Sequence, residues 1–232
     1  MSRKKRTKKK KPEPEVIKPP EKKEIDFNQM FAWSKEYINP WELSKLINGL
    51  SGVGKISDSY TIVAFFQLIQ ILSVIVGYFL VFVLTMPTLS SSDLISMVVQ
   101  LILSTVVGVV IFYFSSWLLY MISKLFGGKV DFENQTYVLS VLGLCHRFIF
   151  FVILIFVYPS MVGALPLVLG GVVVLGMFVI SFYSWYVQFQ VIKQLNNFSI
   201  WRSLGVLVVF LIISAAIMSI VSALLLGDAV PV

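Results

Sequence analysis

The segment TIVAFFQLIQILSVIVGYFLVFVLTM, residues 61–86, runs for 26 residues without a charge. A helix rising 1.5 Å per residue needs about 20 apolar residues to cross ~30 Å of hydrocarbon. This run is long enough. Four more follow, at roughly 94–122, 148–166, 167–192 and 204–226. Inside lipid every backbone N–H and C=O has to be paired within the segment, so such runs fold as helices. The expected fold is all-α: a polytopic membrane protein with five transmembrane helices. A disordered basic N-terminal tail (1–25) and an amphipathic cytoplasmic or interfacial segment (26–58) precede the five-helix membrane domain (59–232).

Composition agrees. A soluble domain keeps about a quarter of its residues charged; here 13% are. The net charge of +7 is concentrated, because residues 1–23 hold eleven of the 19 Lys/Arg and three of the 12 Asp/Glu. One cysteine, Cys145, excludes an intramolecular disulfide. The first apolar run starts about sixty residues in and is too long for the core of a signal peptide, so an uncleaved first span is expected to direct insertion.

The tail cannot bury apolar surface and is expected to be disordered. Two roles stay open for it: setting topology, or also adhering to anionic lipid headgroups, where each Lys/Arg contributes about 1 kcal/mol. Nucleic acid is not an expected partner. Further on, Asn39-Pro40-Trp41-Glu42 reads as a helix start, with an N-cap, a proline at the first position and an acid in the first turn. Leu43, Leu46, Ile47 and Leu50 then recur at helical spacing. This helix either lies on the membrane with Trp41 at headgroup level or packs on the bundle. The stretch from Gly49 to Lys55 resembles a phosphate-binding loop, but Ile56 stands where a hydroxyl belongs and no strand precedes it. A Gly/Ser hinge accounts for it.

The connections alternate in charge. Those near 87–93 and 158–166 and the end after 226 lack Lys and Arg. Those near 123–135 and 193–202 carry Lys124 and Lys129, and Lys193 and Arg202. The positive-inside rule then puts the N-terminus in the cytoplasm and the C-terminus outside, in the cell membrane if the source is prokaryotic. The third span is the difficult one. Starting it at Tyr137 would carry His146 and Arg147 toward the bilayer centre, and a central Arg costs about 2.5–3.5 kcal/mol even on lenient scales. The expectation is therefore a break: a short helix over 132–145 at the cytoplasmic interface, Arg147 as a headgroup anchor, and a span from about Phe148.

No catalytic constellation is present. His146 has no second imidazole and no metal-spaced carboxylate. Carboxylates are missing between Asp58 and Asp93 and between Glu133 and Asp228, which argues against proton- or sodium-coupled transport. No cofactor is expected. Ala215, Ser219 and Ala223 form a small-residue stripe, as do Ser104 and Gly108; packing within the chain is the expected use, and a homo-oligomer face is the alternative. Gln67, Gln70, Gln100, Gln188 and Gln190 are candidates for interhelical hydrogen bonds. Trp117, Tyr120, Trp185, Tyr186 and Trp201 fit an aromatic belt, with Trp41 and Trp201 as interfacial anchors.

The run Lys124-Leu125-Phe126-Gly127-Gly128-Lys129-Val130-Asp131-Phe132, followed by Thr136, Leu139, Ser140, Val141, Leu142 and Gly143, resembles the Yip-domain family, the Ypt/Rab-interacting membrane proteins. The resemblance covers roughly 41–226 and is closest to prokaryotic members. It departs where the family often has a proline: His146-Arg147-Phe148 stands there. It implies five spans, a cytoplasmic N-terminal region and a non-enzymatic role in trafficking or membrane shaping.

The expected function is thus a non-enzymatic membrane organiser or scaffold for an unidentified cytoplasmic protein. Its partner surface is drawn from 26–57, the loop of Gly127, Gly128, Lys129, Asp131 and Glu133, and 193–202. A small passive channel or transporter is the alternative. The Gly127-Gly128 pair either caps a helix or presents Lys129, Asp131 and Glu133 to the partner. The topology has a direct test. Asn134-Gln135-Thr136 and Asn197-Phe198-Ser199 match glycosylation acceptors, yet both fall in cytoplasmic connections. In a glycosylating membrane neither Asn should gain a glycan, and a gel shift abolished by glycosidase would overturn the orientation.

Overall fold

The computed structural model describes residues 27–85, 91–161 and 167–226; the basic tail, the 86–90 and 162–166 connections and the C-terminal end lie outside the described residues. The described residues form seven helices: α1 (Phe27–Ile38), α2 (Pro40–Leu50), α3 (Ile56–Thr85), α4 (Ser91–Leu125), α5 (Phe132–Met161), α6 (Leu167–Leu195) and α7 (Ile200–Leu226). No strand occurs among them. Four contain stretches long and apolar enough to cross a membrane: Ile56–Gly77, Val98–Leu125, Val174–Leu195 and Ile200–Val221. α5 is equally long, but its first half is polar: Glu133, Asn134, Gln135, Thr136 and Ser140 precede His146 and Arg147.

α5 is the axis of the fold; α1, α2, α3, α4 and α6 all pack on it. The expected break before Phe148 is absent, and one helix runs from Phe132 to Met161. Nor does its first half lie on a surface: Thr136, Val138, Val141 and Cys145 are 0% exposed. The reason is tertiary. Polar side chains that cannot face lipid are enclosed by neighbouring helices, and the helix has no need to stop where its charge begins.

α2 shows the same logic. Asn39 caps it, its side chain accepting the Trp41 N–H at 3.1 Å, with Pro40 at the first position. Leu43, Leu46, Ile47 and Leu50 form its buried face. They share one core with Tyr37, Ile62, Val63, Phe66, Tyr137, Val141, Val187 and Val191, so α2 packs on the bundle. Burying four such side chains contributes roughly 1.5–3 kcal/mol each, as an upper bound. Trp41 on the opposite face is 87% exposed.

Farther along the bundle the apolar surface turns outward. Leu68, Leu72, Ile75 and Phe79 on α3, Val106, Val110 and Phe114 on α4, and Val172, Phe178 and Phe182 on α6 are exposed, as lipid contact requires. Ala215, Ser219 and Ala223 on α7 are exposed too, so the stripe is not a packing face among the described residues. Gly108 is used: a Cβ there would lie 2.9 Å from Gln67 Nε2.

Truncating the buried face of α2 should be costly. Ile47→Ala is expected to lose about 2–5 kcal/mol, while Trp41→Ala should change stability by no more than about 0.5 kcal/mol. Thermal unfolding in detergent compares them; equal, small effects would place α2 on the membrane surface instead.

Candidate functional site

At the charged end of the bundle two helix ends are built alike. After α4, Gly127 N–H bonds Lys124 C=O at 2.9 Å and Gly128 N–H bonds Ser123 C=O at 2.8 Å. After α6, Asn197 N–H bonds Gln194 C=O and Phe198 N–H bonds Lys193 C=O at 2.9 Å. Both are Schellman caps, which need a left-handed residue to turn the chain back on the last carbonyls. Gly127 supplies φ +84° and Asn197 φ +52°. The two caps touch: a Cβ on Gly128 would collide with Asn196 Oδ1 and sit 2.8 Å from the Ser123 carbonyl oxygen. Gly127 is thus required for its conformation and Gly128 for a close approach.

Lys129, Asp131 and Glu133 follow and are exposed. Asp131 caps α5: its Oδ1 accepts the Asn134 N–H at 2.8 Å and its carbonyl the Gln135 N–H. Asn134 accepts the Gly52 N–H at 2.9 Å and lies 3.3 Å from Ser51 Oγ. The α2–α3 turn is thereby tied to the start of α5. Gly54 lies against the Tyr137 ring, leaving no room for a Cβ. The three sequence-predicted segments therefore meet: the α2–α3 turn through Asn134, the α6–α7 turn through Gly128 and Asn196. Gln194 adds a 2.6 Å bond to Ser44 on α2. Trp201 stands 80% exposed in the first turn of α7.

Arg147 is elsewhere. It lies 14 residues past Glu133, about 21 Å along α5, half-buried, with its guanidinium 4.8 Å from the Phe66 ring centroid. This is a cation–π contact on α3, within a helix and not at its start. His146 faces α1, where Tyr37 Oη is 3.2 Å from its Nδ1, and its ring stacks on Phe150. Burial pushes the Tyr37 phenol far above its usual pKa, so it stays neutral. The Tyr183 hydroxyl donates to the Tyr37 carbonyl, satisfying one of the free C=O groups at the end of α1. Ser34 approaches Cys145 without meeting hydrogen-bond geometry. Sequence reading did not single out Tyr37 or Tyr183. Their only signal was a tyrosine on an otherwise apolar helix face. Gln67, expected to bond across helices, is 3% exposed with neither amide atom paired.

Among the described residues no group of three His, Cys, Asp or Glu side chains could hold a metal ion. No family model, curated protein or solved structure matches the chain.

The caps predict graded effects. Gly127→Ala should cost about 1–2 kcal/mol for its left-handed backbone, and Gly128→Ala more, because its contacts include backbone that cannot move aside. Asp131→Ala should cost about 1 kcal/mol as a lost N-cap. Lys129→Ala and Glu133→Ala should each stay within about 0.5 kcal/mol. Thermal unfolding of the five single variants ranks them.

Proposed function

We propose that this is a non-enzymatic integral membrane protein with five spans, α3 to α7, its N-terminus in the cytoplasm and its C-terminus outside, which organises membranes or scaffolds a cytoplasmic partner. One observation carries the reading. The α1–α2 hairpin and the α2–α3, α4–α5 and α6–α7 turns are locked into one end through Asn134, Gly128–Asn196 and Gln194–Ser44. Such an end is preorganised, so binding there loses little ordering entropy. It presents Trp41, Lys45, Lys129, Asp131 and Glu133 to solvent. Both signs of charge and an exposed aromatic suit a protein partner. Lys124, Lys193 and Arg202 also lie at this end, supporting its cytoplasmic placement and a contact with anionic headgroups that the basic tail strengthens.

The fifth span is α5, whose second half continues the apolar run. The Gly-Gly turn and the Thr136–Gly143 stretch that resemble the Yip-domain family form a cap and a core face, so a Yip-like trafficking or membrane-shaping role stays the reading where that resemblance holds. A passive channel or transporter is favoured by a different observation: the unpaired Gln67 amide inside the bundle. Two assays separate the readings. Photocrosslinking from this end in membranes should capture a cytoplasmic protein, and Lys129→Ala with Glu133→Ala should remove that capture without changing thermal stability. Solute flux in liposomes at background level agrees with the scaffold; flux well above background, with capture unchanged in the double variant, would replace it with the channel.

A further inference from the structure

Helix register assembles a second polar site. α4 and α5 run antiparallel: Tyr120 meets Phe132, Gln135 Nε2 bonds the Ser116 carbonyl, and Gly143 packs against Phe112. Continuing by one turn sets Gly108 beside Arg147. α3 and α5 run parallel: Gly52 meets Asn134, Gly54 meets Tyr137, and Phe66 touches both Gly143 and Arg147. That register sets Gln67 level with Arg147. A direct contact closes the triangle, since the Gln67 side chain lies in the space that the missing Gly108 Cβ leaves. Gln67, Gly108 and Arg147 therefore share one level of the α3–α4–α5 junction.

Two features of this level are costly for a merely structural element. Arg147 has five N–H donors, and among the described residues its only partner is the Phe66 ring face. Gln67 is 3% exposed and neither its Oε1 nor its Nε2 is paired. A buried amide left unpaired is destabilising, and a half-buried guanidinium with no carboxylate beside it among the described residues is costly as well. Asp58, Lys124 and Lys193, the innermost charges of α3, α4 and α6 at this end, stand 9, 16 and 10 residues from Gln67, Gly108 and Tyr183. The site is thus roughly 13–24 Å inside the charged end.

We propose that Arg147 and Gln67 form an oxyanion site that takes a phosphate-type group: the guanidinium supplies the charge and two parallel N–H donors, the Gln67 amide a further N–H, and Phe66 holds the guanidinium in place. Arg fits a phosphate bidentately, where Lys offers a point charge. The group is a phospholipid headgroup phosphate or a free inorganic anion, and the probes distinguish them. This site is separate from the partner-docking end and stands whether or not that reading holds.

The test uses the full chain in detergent, with phosphatidylglycerol, phosphatidylcholine and inorganic phosphate as probes, at both low and high salt. High salt largely screens the exposed lysines, while a partly buried ion pair is screened much less. The wild type should retain phosphatidylglycerol at high salt if the source is lipid, or bind phosphate in calorimetry if it is a free anion. Arg147→Gln should weaken that binding at least tenfold, and Arg147→Lys should not restore it. Gln67→Leu keeps the side chain's bulk and removes the unpaired amide, so it should raise the melting temperature while weakening binding several-fold. That opposition separates a binding role from a folding one. The proposal is overturned if the wild type binds none of the three probes at high salt, or if Arg147→Gln and Gln67→Leu bind as the wild type does.

Discussion

A helix that is polar in its first half and apolar in its second cannot stand alone in a membrane protein. α5 is such a helix, and its polar half has to be enclosed by protein. Thr136, Val138, Val141 and Cys145 are fully buried, and α1, α2, α3, α4 and α6 pack on α5. The α1–α2 hairpin follows from this need. Leu43, Leu46, Ile47 and Leu50 cover a flank of the core that α3 and α6 leave open. Tyr37, Ser34 and Phe31 do the same across α5 at His146, Cys145 and Phe148. The α4–α5 and α6–α7 connections at this side are then short and constrained, and Gly127, Gly128 and Asn197 stand where constrained caps require them.

What the sequence shows directly is what local physics decides. Apolar runs longer than a bilayer is thick give helices whatever surrounds them. Asn39-Pro40 caps α2 because both the acceptor and the missing N–H act within one turn. Gly127 marks the end of α4 for the same reason. What the sequence hides depends on partners far along the chain. A break at Arg147 follows from the cost of a lone cation in lipid, but Phe66, 81 residues earlier, supplies a ring face that local reading cannot see. The amphipathic pattern of α2 is the same for a helix on a membrane and a helix on a bundle, and only the presence of Val187, Val191 and Tyr137 opposite it decides. The stripe of Ala215, Ser219 and Ala223 has the spacing of a packing face, yet α4 and α6 meet α7 elsewhere, through Ile122, Ile192, Val206 and Leu207.

The molecule separates its chemistry by depth. Its charged end is closed by hydrogen bonds between turns and offers a preorganised surface. Among the described residues its apolar length holds an unpaired buried amide, Gln67, and a guanidinium, Arg147, that meets a ring face. Surface organisation and anion recognition are independent readings, since no residue is shared between them. Both rest on α5 being one continuous helix enclosed by α1, α2, α3, α4 and α6.

Crosslinking between α1 and α5 tests that enclosure most directly. Cys145 is the sole cysteine and is fully buried, so Ser34→Cys creates a single defined pair in the native membrane. The account predicts rapid disulfide formation on mild oxidation, detected as thiols protected from alkylation until reductant is added. Two thiols that stay free in the membrane, yet couple or alkylate once the protein is denatured, would contradict it and return α1 and α2 to the bilayer surface.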